Sequence, residues 1–173
     1  MELQSSAIFS AVPVRLKKAN GGMFVESMVH LSRFDGKTII ERFSKAANWL
    51  RSHPGTALVV DPGVYELSTP LARRTMNHVL SGVFGENPQD VMFTPEFAYS
   101  TGLLLDNIEN LTIFAHGVLL MVDGFMEPVA IQNCRNITIE GLSVDHKRKP
   151  FSMGVVSDVQ WQEKEKGSFV IQS

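Results

Sequence analysis

The sequence is short of the residues that several common kinds of protein require. Its 173 residues include one cysteine, Cys134, so no intrachain disulfide framework can form. No apolar run approaches the length of a membrane span. Basic residues do not cluster beyond His146-Lys147-Arg148-Lys149, and the net charge is −2, which gives nucleic acid nothing to hold. Histidine, cysteine and acidic residues never fall at zinc spacing. HExxH, the phosphate-binding loop, the dinucleotide fingerprint and the G-x-S-x-G elbow are all missing, so neither a metal nor a cofactor is expected. The opening stretch MELQSSAIFSAVPVRLKK has no basic region ahead of its weak apolar patch. The chain as numbered is therefore expected in the cytoplasm, or outside it if a leader has been removed.

What is present is a repeat. Leu103–Ile113 reads LLLDNIENLTI and Val129–Ile139 reads VAIQNCRNITI; Asn107 matches Asn133, Asn110 matches Asn136 and Thr112 matches Thr138, each 26 residues apart. A period of this size marks one supersecondary unit stacked on the next. Within each copy the apolar residues alternate, which is strand periodicity. A polar turn, Asn-Ile-Glu-Asn or Asn-Cys-Arg-Asn, separates two short strands, and Gly117 or Gly141 then opens a third apolar run. Three strands returning to the same register describe one coil of a parallel β-helix, with coils roughly 4.8 Å apart. In such a stack Asn107 lies on Asn133 and Asn110 on Asn136, an amide ladder along the axis. Asn110-Leu-Thr112 and Asn136-Ile-Thr138 also read as glycosylation sequons, but recurrence at the structural period favours the ladder. Cys134 takes the place of Ile108 in the second turn and reads as a small buried hydrophobe.

Ahead of the repeat, Thr38 with Glu41 forms a capping box. Ile39/Ile40, Phe43, Ala46/Ala47 and Leu50 recur at helical spacing until Ser52-His53-Pro54-Gly55 ends the pattern. Strands Thr56–Val60 and Val64–Leu67 follow, joined by Asp61-Pro62-Gly63. A helix here is placed to cover an open sheet edge and the core behind it, and the run Phe24–Leu31 offers a strand for the same purpose. Near the other end, Val155–Gln160 and Phe169–Gln172 flank the charged turn Glu163–Gly167. The expected fold is thus all-β: a parallel β-helix over 56–152, a capping helix at 38–55, a further segment at 153–173 and an N-terminal extension of 1–37.

The order helix, GTALVVDPGVYEL, then N-x-x-N-[LI]-T-I strand pairs resembles the N-terminal part of right-handed parallel β-helix proteins of the pectin-lyase-like superfamily, and the resemblance implies a right-handed winding here and a β-hairpin at 153–173. His116-Gly117, Gly124–Pro128, Leu142–Ser152 and Gly154–Val156 narrow this to a resemblance to glycoside hydrolase family 110, the α-1,3-galactosidases. The resemblance implies a carbohydrate substrate, here terminal galactose or a related sugar. The calcium-binding acidic run of the pectin-cleaving lyases and the paired Asp-Asp of polygalacturonases are absent. Glycoside hydrolysis needs two carboxyl groups across a sugar, and the candidates are Asp123 and Asp145, since Asp145 lies at a coil exit whose matching position in the first repeat is near Met121–Asp123. Asp145 has a structural alternative, ordering its corner by bonding the turn backbone or Arg148. His116, His146 and Arg148 are candidate substrate-binding residues, with Lys149 beside them. Trp49 and Trp161, the two tryptophans, lie on the helix and in the hairpin, away from the repeat faces where a sugar could stack.

The last strand reads as the edge of an open coil. The sequence is therefore expected to be the N-terminal portion of a longer protein whose catalytic coils lie elsewhere, or to have its open coil covered by an oligomeric partner. The alternative function is a non-catalytic β-helix serving as a glycan-binding or structural module.

Overall fold

The computed structural model describes residues 12–13, 27–149, 154–163 and 166–172. In chain order these form β1 (Val12–Pro13), β2 (Ser27–His30), a 3₁₀ turn (Leu31–Arg33), α1 (Ile39–Leu50), β3 (Thr56–Val59), β4 (Gly63–Ser68), α2 (Pro70–Leu80), α3 (Gln89–Met92), β5 (Ser100–Asp106), β6 (Glu109–Asp123), β7 (Met126–Gln132), β8 (Arg135–His146), β9 (Val155–Glu163) and β10 (Lys166–Gln172). The described chain is mostly strand, with parallel pairing and few helices.

The fifteen-residue β6 organises the main sheet. Along one edge its first half pairs in parallel with β3 (Ala57 with Thr112) and its second half with β4 (Gly63 with Val118), both at an offset of 55 residues. Along the other edge it pairs in parallel with β8, Leu111 with Ile137 and Ile113 with Ile139, at the 26-residue spacing of the repeat. After Phe114 the register shifts, so Val118 meets Leu142 at an offset of 24. The shift has a local cause, because β6 turns its corner with Ala115-His116-Gly117 and β8 with Gly141 alone. Both glycines are left-handed, at φ 73° and 74°. A Cβ on Gly141 would come within 2.4 Å of the His116 ring, so no other residue fits beneath that corner. The corner also inverts the alternation. Leu111, Ile113 and Ala115 are buried before it, and Val118, Leu120 and Val122 after it.

The second parallel pair, β5 with β7, repeats the same offset, Leu103 with Val129 and Leu105 with Ile131. Asn107, Asn110, Asn133 and Asn136 all have left-handed backbones, φ 52–56°. Asparagine tolerates that region better than other non-glycine residues, which is why it recurs at both turns. The amide ladder forms at one position, where Asn136 Nδ2 donates to Asn110 Oδ1 at 2.9 Å. At the other it runs through a neighbour, since Asn107 and Asn133 both donate to the carboxylate of Asp106. Cys134 is half-buried beside them, its Sγ accepting from the Ile108 backbone N–H.

α1 starts where Thr38 Oγ1 accepts from Glu41 N. The reciprocal bond of the capping box shifts by one residue, Glu41 accepting from Lys37 N rather than from Thr38 N. Its buried stripe of Ile39, Phe43, Ala46, Ala47 and Leu50 joins the core with Leu58, Leu105 and Ile113. The outer edge of β3 is covered by a strand and not by this helix: β2 pairs with β3 in parallel, Val29 opposite Leu58. Residues 24–26 of the expected N-terminal strand lie outside the described residues.

The span expected to be strands throughout, 56–152, contains a helical excursion. Thr69 caps α2 by accepting from Ala72 N, with Pro70 in the first turn. α2 is tied back where Phe125 N donates to Ala72 O, and Gly124 lies so close to α2 that a Cβ would be 2.6 Å from the Ala72 carbonyl carbon. Edge-to-face contacts link Phe84, Phe97 and Tyr99 below it. β9 and β10 form an antiparallel hairpin, with residues 164 and 165 of its turn outside the described residues.

Among the described residues, β7 and β8 are unpaired on the side away from β5 and β6. Ile131 is 50% exposed there and Val144 43%. Burial therefore falls from one repeat to the next, and truncation should register it. Ile113→Ala, in the fully enclosed row, is expected to cost about 3 kcal/mol. Ile139→Ala, on the open row, should cost roughly half of that or less because part of its side chain already meets water. Urea denaturation of the two variants checks this, and equal losses would contradict the burial gradient.

Candidate functional site

The outward face of β4, β6 and β8 collects polar residues because alternation sends every second side chain away from the core. Leu67 is paired with Val122, both buried, so Glu66, Ser68, Met121 and Asp123 point out. On β8 the same phase exposes Ser143 and Asp145 and continues to Lys147, whose N–H extends the ladder to Val122 O at 2.9 Å. Parallel pairing therefore sets Glu66, Met121 and Asp145 in one row across three strands.

Lys147 reaches over β6 and joins this face together. Its Nζ donates to Glu66 Oε2 at 2.6 Å and to Asp123 Oδ2 at 3.4 Å, residues 81 and 24 positions away in sequence. Arg73 of α2 approaches the same Asp123 oxygen at 3.8 Å. The Lys147 ammonium is held above its ordinary value, chiefly by the hydrogen bond to Glu66, with slight desolvation opposing and the charge of Asp123 adding to it. Beside this cluster a groove of about 490 Å³ runs between the start of α1 and β4, lined by Lys37, Arg42, Tyr65, Glu66, Ser68 and Arg73.

Of the residues singled out from sequence, Asp123 is in this cluster. Asp145 is on the same face, but the register places it opposite Met121, making it a diagonal neighbour of Asp123 with Cα atoms roughly 8 Å apart. Asp145 Oδ1 accepts from His146 N at 2.8 Å, the corner-ordering bond expected of a turn aspartate. His146 continues the inward row Leu67–Val122–His146 and is half-buried, away from the carboxylates. His116 is at the corner facing Glu140, Nε2 to Oε2 3.7 Å, with its side chain 71% exposed. Arg148 is exposed and makes no ion pair among the described residues. Residues 150–152 of the Leu142–Ser152 motif lie outside the described residues.

Sequence reasoning missed Glu66, Arg73 and Lys147. Glu66 was detectable from alternation alone, as the outward position between Tyr65 and Leu67. Lys147 read as one of a solvated basic run, and nothing local shows its reach to β4. Among the described residues no three histidine, cysteine or acidic side chains gather as metal ligands. No described helix is long and apolar enough to cross a membrane.

No family model matches the chain. It is 30% identical over 113 residues to alpha-1,3-galactosidase B of Bacteroides thetaiotaomicron, an alignment covering 65% of this chain and 17% of that protein. It is 25% identical over 166 residues to alpha-1,3-galactosidase A of Shewanella woodyi, covering 93% of this chain and 25% of that protein. The chain thus spans a quarter or less of the length of the curated relatives it matches, and is distantly similar to them over much of its own length.

The lysine clamp predicts a pH dependence. A cation whose value is raised on folding stabilises the fold fully below its ordinary value, and that contribution is lost as pH rises through the raised one. Lys147→Met should therefore melt below the wild type up to about pH 10, with the gap closing at more alkaline pH. Thermal melts across that range decide it; a gap that persists at the alkaline end would contradict the clamp.

Proposed function

We propose that this chain is part of a carbohydrate-active protein built as a right-handed parallel β-helix, a glycoside hydrolase acting on terminal galactose or a related sugar. The observation that carries the reading is the placement of Glu66 and Asp123 on adjacent parallel strands beside a polar groove, in a chain similar to alpha-1,3-galactosidases. The helical winding is supported by the repeated parallel offsets, 55 residues and then 26, and by left-handed asparagines at equivalent turns. Strands joined in parallel need crossovers, and these are right-handed in nearly every known instance.

The chemistry divides between this chain and what stacks on it. Carboxylates on a β-helix face can accept hydrogen bonds from sugar hydroxyls, and Glu66 and Asp123 are arranged to do so. Lys147 occupies both, which suits holding a substrate better than donating a proton to a leaving group. The acid and base are assigned to further coils, stacked on the unpaired edges of β7 and β8. Relatives nearly four times as long as this chain have room for such coils. A partner subunit covering the same edges is the alternative arrangement. A non-catalytic glycan-binding module is the alternative function, favoured by the same engagement of both carboxylates with Lys147.

A hydrolysis screen separates these readings. The chain is assayed beside a version extended through the downstream reading frame, on galactose-terminated oligosaccharides and nitrophenyl glycosides. Release of galactose by the extended form alone is the expected result. Activity in the short form would return the acid and base to Glu66, Asp123 and Asp145. Silence in both would overturn the hydrolase and leave the binding module.

A further inference from the structure

The groove beside the carboxylates has the wrong charge for a neutral sugar alone. Its walls carry three cationic side chains, Lys37, Arg42 and Arg73, against one carboxylate, Glu66; Glu66 is already engaged by Lys147, and Arg73 is shared with Asp123 at 3.8 Å, which leaves Lys37 and Arg42 as the unmatched charges. This local excess of positive charge occurs in a chain whose net charge is −2. Arg42 is seated there by its surroundings. Its Nε donates to Gly36 O at 3.3 Å, and a Cβ at Gly36 would lie 2.9 Å from the Arg42 side chain, so the bend at residue 36 is shaped to let the arginine pass. That bond uses one edge of the guanidinium; the other makes no ion pair among the described residues. Lys37 is likewise without a side-chain partner among the described residues.

Two further features favour an anion. The first turn of the twelve-residue α1 opens on the groove with the positive end of its dipole, partly offset by the Glu41 carboxylate that accepts from Lys37 N. Ser68 on the same wall has an Oγ with no hydrogen-bond partner among the described residues; it is shielded from water, so it meets a ligand oxygen only if the side chain turns toward the groove. A volume of about 490 Å³ is within the usual range for small-ligand sites.

We propose that this groove binds an acidic sugar, with Arg42, Arg73 and Lys37 holding an anionic substituent, a sulfate ester or a carboxylate. The sugar's hydroxyls then lie toward Glu66 and Asp123. This rests on the carbohydrate reading above and narrows it to charged glycans. Guanidinium groups match both substituents, because each offers paired oxygens to a forked donor.

The test is calorimetric titration of the chain with galactose 6-sulfate, galacturonic acid, galactose and inorganic sulfate, in parallel with Arg42→Gln and Lys37→Gln. Arg135→Gln, a cation on another face, serves as the control. One or both charged sugars should bind at least about tenfold more tightly than galactose, and each groove variant should remove about that factor while remaining folded. Whichever charged sugar binds more tightly identifies the substituent. Galactose binding as well as the charged sugars would overturn the proposal while leaving the carbohydrate reading intact. Inorganic sulfate binding as tightly as the sugar sulfate would overturn the assignment to a glycan. Failure of every sugar to bind would overturn both.

Discussion

Parallel pairing along both edges of β6 is the constraint on which the rest depends. A strand paired on both edges with one face in the core must meet each neighbour in a register that puts apolar residues against apolar ones, and a slip by one residue would send Ile113 and Ile139 into water. That register also sets the outward face. Glu66, Asp123, Asp145 and Lys147 share it because Leu67, Leu120 and Val122 are turned inward. Burial and the polar site are two consequences of one alternation.

The corners keep that alternation consistent. Between Ala115 and Val118 the buried positions change from odd to even, which a regular strand cannot do. Gly117 makes the change possible by adopting a backbone that residues with a Cβ avoid. The column Pro62–Gly117–Gly141 repeats the bend on three neighbouring strands, and the tighter bend at Gly141 accounts for the two-residue change of offset. Corner geometry thus decides that Asp145 is opposite Met121, where a uniform offset of 26 would set it opposite Leu119.

Much of this is legible in the sequence, for identifiable reasons. The 26-residue repeat predicts the pairing of β5 with β7 and of β6 with β8, because identical residues at a fixed spacing must occupy equivalent places. The capping box locates the start of α1 at Thr38, and the resemblance to β-helix proteins anticipates the final hairpin. The excursion carrying α2 and α3 is less visible, since its apolar residues follow no repeat, although Thr69-Pro70 is a helix-start signal. The candidate site is the least legible part. Its ion pairs join residues up to 81 positions apart, and which charges meet depends on how many residues each corner uses. Counting a uniform 26 from Asp123 cannot anticipate a corner two residues shorter.

Electrostatically the face is divided. Glu66 and Asp123 are matched by Lys147 and by Arg73 along the sheet, while Lys37 and Arg42 leave the adjoining groove positive. A ligand bridging the two would offer hydroxyls to the first and an anion to the second. Everything in this account rests on stacked register, and methyl NMR of isoleucine-labelled chain tests it most directly. A cross-peak between the Ile113 and Ile139 methyls, together with one between Leu111 and Ile137 when leucine is labelled too, is the predicted result. Absence of both in a folded sample would contradict the parallel stack and the site built on it.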